Sequence, residues 1–114
     1  MYDLVEQSLE YFTTFSEKDT EGLRSMFSDD VVLRDWEIMA NGIDEVVDAN
    51  QNIFDSVESI VATPIKIYEC ETFEESVIIS ELEIVINDEE TILVTDILEF
   101  DDSEKIKSIR AYKG

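Results

Sequence analysis

Residues 11–36 read YFTTFSEKDTEGLRSMFSDDVVLRDW, and three structural states follow one another within them. Upstream and into this stretch the apolar residues fall at helical spacing, with Val5, Leu9 and Phe12 in one row and Leu4, Tyr11 and Phe15 in the next. The spacing predicts an amphipathic helix over 2–15 with Tyr11 on or beside its buried stripe. Asp19 is placed to cap a second, short helix through Leu23, Met26 and Phe27, with Glu21 in its first turn and Ser28-Asp29-Asp30 at its end. Val31 to Trp36 then alternates as a strand. Its rows are Val31, Leu33 and Asp35 on one side and Val32, Arg34 and Trp36 on the other.

Working outward, Asn41-Gly42 reads as a turn, and Asp44 as the cap of a third helix bearing Val46, Val47, Asn50, Ile53, Phe54 and Val57 on one side. Beyond Ile60 only strand patterns remain: 61–70 with a bulge or edge at Pro64, then 77–86, 91–100 and 105–112, joined by short polar connections. Helices followed by meandering strands predict a single α+β domain over 1–114, in which one antiparallel sheet curls over three N-terminal helices.

The charge balance is extreme, with 29 acids against 8 bases and a formal net charge of −21. Leu, Ile, Val and Phe nonetheless make up 37 of the 114 residues, far more than the roughly 20% below which a charged chain stays disordered. So acidic a surface repels phosphate backbones and anionic headgroups, which argues against nucleic acid and membranes as partners. There is no histidine and one cysteine, Cys70, so imidazole-dependent triads, an internal disulfide and a thiolate zinc site are all excluded. Cys70 reads as a small packed strand residue. Asp29-Asp30 and Asp101-Asp102 lack the spacing of a calcium loop and read as turn or cap acids, so no metal or other cofactor is expected. The absence of a signal-peptide pattern and of any apolar run near the ~18 residues of a membrane span suggests a cytoplasmic protein.

Two acids stand in apolar rows. Asp35 follows Val31 and Leu33, and Asp96 sits among Ile92, Val94, Leu98 and Phe100. A carboxylate in apolar surroundings is costly when ionised, so its pKa rises and it can carry a proton near neutrality. The alternative for either residue is structural: Asp96 could pair with Arg110, and each could cap a backbone group.

At these residues the chain resembles the nuclear transport factor two-like superfamily, in its SnoaL-like and ketosteroid isomerase-like branches. The resemblance rests on residues 11–36 and on 96–112, DILEFDDSEKIKSIRAY, which together span 43 residues, and on Gly42 leading into the third helix. It implies a cystatin-like cone, a homodimer packed through the sheet, and an apolar small-molecule ligand. It further implies Asp35 as general base for proton transfer next to a carbonyl, with Tyr11 and a protonated Asp96 as donors to the resulting oxyanion. The expected ligand contacts are Trp36, Phe54, Asn50 and Phe15. Trp36 stands where the isomerases have proline, the 35–42 loop is about two residues shorter, and Asn50 replaces a supporting tyrosine. A non-catalytic binding or dimerisation module of the same fold is the competing expectation. That module would fill the cavity with Trp36, Met39 or Phe54.

Overall fold

A computed structural model describes residues 3–114, so Tyr2, where the first helix was expected to begin, lies outside the described residues. Helix α1 spans Leu4–Ser16, capped by the Asp3 carboxylate on the Val5 N–H, and buries Ser8, Tyr11 and Phe12. Helix α2 (Thr20–Met26) is capped as the sequence suggested, by Asp19 on the Gly22 N–H at 2.9 Å. A Cβ on Gly22 would stand 2.5 Å from that carboxylate and 2.8 Å from the Thr14 methyl. Gly22→Ala should therefore destabilise the domain by about 1–2 kcal/mol, the cost of a lost cap outweighing alanine's better helix propensity. A urea titration of the variant checks this; unchanged or raised stability would refute it.

The chain passes from α2 into strand β1 (Phe27–Arg34) without a turn, so Ser28-Asp29-Asp30 lies in the strand and does not terminate the helix. The reason is packing: Phe27 and Ser28 are buried, and Phe27 already pairs with Ile106. Strand β1 also stops two residues before Trp36. Asp35 turns the chain, and a three-residue strand β2 (Met39–Asn41), too short to show in the sequence pattern, pairs back on β1. Helix α3 spans Ile43–Ser56. Its N-cap is Gly42 at φ 89°, a left-handed conformation that suits glycine, and not Asp44. Asp44 instead meets Arg24 at 3.0 Å, while the Glu45 carboxylate takes the Asn41 N–H at 3.0 Å. At the other end of α3 the Lys18 ammonium donates to the carbonyls of Phe54, Val57 and Glu58, where the helix dipole favours a cation.

Strands β3 (Ile60–Glu71), β4 (Ser76–Ile86), β5 (Glu90–Phe100) and β6 (Ile106–Lys113) complete a six-stranded sheet of order β2-β1-β6-β5-β4-β3. The register of β3 slips between Pro64 and Lys66, the bulge the proline implied. One pair departs from the all-antiparallel expectation. Strands β1 and β6 run parallel, which makes the sheet mixed. The first strand arrives from α2 pointing the same way as the last, and α3 with the β3–β5 meander supplies the long connection that parallel neighbours require. The three helices lie on the inner face, over a core that includes Phe12, Leu23, Val31, Ile78, Leu98 and Ile106. No described helix is long and apolar enough to cross a membrane.

Candidate active site

Strand alternation decides which side chains face the helices. On β5, Val94, Asp96, Leu98 and Phe100 are buried while Leu93, Thr95 and Ile97 face outward, so Asp96 does occupy the apolar row. Its neighbours across the sheet are Ser80 on β4 and Ala111 on β6. On the far side of β6, Arg34 pairs with Arg110, and Asp35 is one residue further along toward Ala111. Asp35, Ala111, Asp96 and Ser80 thus form one transverse row. Strands are spaced about 4.8 Å apart, so the two carboxylates spring from backbones roughly 10 Å apart, with only the alanine methyl between them.

That small residue leaves room. A cavity of about 310 Å³ lies between the inner face of the sheet and helices α1 and α3, and Tyr11, Asp35, Asp96, Asn50, Phe15 and Trp36 all line it. Most of the remaining wall is aliphatic, from residues such as Ile60, Leu82, Ile84, Ile92, Val94 and Ile109. Phe54, expected as a ligand contact, is not part of this wall. It is 3% exposed and stands behind Phe15 with its ring centroid 5.2 Å away, so it supports the wall without touching the space. Trp36 is 45% exposed at the rim and Met39 is 60% exposed outside it, so neither fills the cavity. Glu37, Glu90 and Lys113 complete the rim.

The polar groups differ in how they are held. Asp35 is tied to its own turn: its Oδ1 accepts the N–H groups of Glu37 and Ile38 at 2.7 and 2.6 Å, and its N–H donates to the Ile38 carbonyl. This is the backbone-capping role that the sequence left open, and it leaves Oδ2 outside the turn. Asp96 does not pair with Arg110, which is bonded to Glu99 through their side chains. Neither Asp96 nor Tyr11 makes a hydrogen bond to another described residue through its side chain, although they are only 8% and 5% exposed. Burial, followed by the negative charge of Asp35, pushes the Asp96 carboxyl up to about 7. Burial, followed by Asp96, drives the Tyr11 phenol above its ordinary value, so it keeps its proton at any physiological pH. Tyr11 is fixed by ring contacts with Phe12 and Phe27. The Asn50 amide donates to the Val46 carbonyl at 2.9 Å, which leaves its own oxygen as an acceptor.

Sequence reasoning missed the β3 and β4 contributions to the wall, Ala111 as the spacer, and Ser80. The alternation that exposed Asp96 also marks Ile92 and Val94, whereas the residues opposite on β4 and β6 depend on register. No group of three or more possible metal ligands occurs among the described residues.

No family model and no curated protein matches the chain. Solved structures do. Nuclear transport factor 2 from Cryptosporidium parvum superposes with a TM-score of 0.84 at 10% identity, covering 96% of this chain and 90% of that one. A candidate SnoaL-like isomerase from Agrobacterium tumefaciens gives 0.80 at 9% identity, covering 96% of each chain. A candidate ketosteroid isomerase from Kribbella flavida gives 0.73 at 13%, covering 94% of this chain and 74% of that one. The chain therefore has the nuclear transport factor two-like fold, a three-helix α+β cone.

Proposed function

We propose that this chain, built on the nuclear transport factor two-like fold, is a cofactor-independent enzyme that moves a proton next to a carbonyl of an apolar small molecule. The observation that carries this reading is the pair of buried, unpartnered donors, Tyr11 and Asp96, facing the same apolar cavity as the Asp35 carboxylate. Buried polar groups normally find partners within the protein. Tyr11 and Asp96 lack one and open onto the cavity, where water or a ligand can supply it. A ligand carbonyl between Tyr11 and protonated Asp96 would receive two hydrogen bonds, which strengthen as negative charge develops on its oxygen. Asp35 Oδ2 would remove a proton from the adjacent carbon and return it elsewhere, acting in turn as base and acid. The aliphatic wall suits a flat apolar body, and Asn50, Phe15 and Trp36 would contact it.

Hydrogen–deuterium exchange beside the carbonyl of apolar cyclic ketones in D2O, followed by NMR, tests this chemistry directly. Exchange above the buffer rate that vanishes on blocking the cavity with a naphthol supports the reading; exchange indifferent to the blocker opposes it. Trp36 is the sole tryptophan and stands at the rim, so its fluorescence reports occupancy directly.

A second reading, a non-catalytic ligand-binding domain, is favoured by the engagement of Asp35 Oδ1 in its own turn. A homodimer through the outer face of the sheet accompanies either reading. Leu93 and Tyr112 are 56% and 54% exposed on that face, beside half-buried Ile79 and Ile97.

A further inference from the structure

Among the described residues, one side-chain polar atom that is wholly shut off from solvent and from the cavity has no hydrogen-bond partner: the hydroxyl of Ser80. Ser80 is 0% exposed in the inner row of β4, between Ile78 and Leu82. It does not line the cavity. An alanine there would bury the same methyl without stranding a hydroxyl, so the oxygen is a cost unless something uses it. The register identifies what could. Ser80 is the direct antiparallel partner of Asp96, the acid that likewise lacks a side-chain bond to the protein.

We propose that Ser80 is a positioning residue for Asp96: its hydroxyl donates to the Asp96 oxygen on the β4 side, leaving the other oxygen, with its proton, for the cavity. Directly opposed Cβ atoms in such a pair stand about 4.5–5.5 Å apart, and a hydroxyl crosses that gap by a turn about the serine Cα–Cβ bond. The other groups that face Asp96 do not compete for that oxygen. Tyr11 approaches from α1 and Asp35 from the end of β1, on the cavity side; Asn50 lines the cavity from α3 with its amide N–H on the Val46 carbonyl; Ala111 on β6 is apolar; Glu37, Glu90 and Lys113 lie at the rim. A carboxyl free to rotate would present its carbonyl oxygen to the ligand as often as its O–H. A donor behind it removes that ambiguity. The assignment rests on reading Asp96 as the donor to a ligand oxygen.

The test uses the full chain with Ser80→Ala and Ser80→Cys. The midpoint of the Asp96 carboxyl carbon signal is followed by NMR against pH, and 2-naphthol binding by Trp36 fluorescence. Losing a donor to the carboxylate disfavours ionisation, so the Asp96 midpoint should rise in Ser80→Ala, and naphthol should bind about three- to tenfold more weakly. Ser80→Cys, near-isosteric with a weak donor, should fall between Ser80→Ala and the native protein, and decides alone if the alanine variant does not fold. On an Asp96→Asn background Ser80→Ala should no longer change naphthol binding by the same factor. A midpoint and an affinity equal to native in the folded variants overturn the proposal. The titration needs no turnover: a shifted midpoint without ketone exchange would sink only the enzymatic reading, and exchange with an unshifted midpoint only the role of Ser80.

Discussion

Asp35→Asn should lower the rate of exchange beside a ketone carbonyl by about a thousandfold, the middle of the range for a positioned general base. The substitution is close to a pure removal of basicity. Asparagine keeps a carbonyl oxygen where Asp35 Oδ1 accepts the Glu37 and Ile38 N–H groups, so the turn that carries the residue keeps both bonds. Unfolding should move by no more than about 2 °C, within what a surface-turn change produces. Removing the negative charge also withdraws one of the two causes that raise Asp96, so the Asp96 midpoint should fall below its native value of about 7. Exchange kinetics, a thermal melt and the carboxyl titration on one sample check all three. Undiminished exchange in a folded variant removes Asp35 from the chemistry. A collapse of the melt together with the rate assigns it to the turn.

The second large effect is on stability, at Asp96. The native state holds a proton on this carboxyl up to about pH 7, against a normal value of 3.8. Between those limits the folded chain binds the proton that the unfolded chain has released, so stability falls as pH rises. Below about pH 4 both states are protonated and the group costs nothing; above 7 the native state must ionise it inside an apolar wall. Asp96→Asn removes that ionisation. The variant should gain on the native protein by about 2–4 kcal/mol between pH 5 and 8, since each pH unit of displacement is worth about 1.4 kcal/mol. Urea titrations of both proteins across that range isolate the difference from the general repulsion of the other acids, which the two share. Parallel stability curves would show that Asp96 titrates normally.

Much of the fold could be read from local periodicity. The Tyr11 stripe, the Asp19 cap, the Pro64 bulge and the four late strands each follow from residues within a few positions of one another. What could not be read depends on contacts between distant segments. Strand β2 is three residues long, with Met39 and Asn41 exposed and only Ala40 buried, so it carries no pattern. The parallel β1–β6 pairing is a matter of register between segments far apart in the chain, about which alternation says nothing. At the site, alternation placed both acids in apolar rows. It could not reveal that Asp35 leaves the strand to cap its own turn, because that depends on where the Glu37 and Ile38 N–H groups return. The same limit hid Ser80, whose interest arises only once Asp96 is known to stand opposite.

The placement of β6 between β1 and β5 has a kinetic consequence. Asp35 directly follows β1 and Asp96 lies in β5, two strands that never pair with each other; both are held in place by the last strand of the chain. Helices α1 to α3 and the β3–β5 meander can form from near neighbours, but β1 must wait for β6, and closing so long a loop is slow compared with forming a hairpin. Assembly of the row that holds both carboxylates should therefore be the final event of folding. A refolding chain would regain its helical signal before it regains naphthol binding.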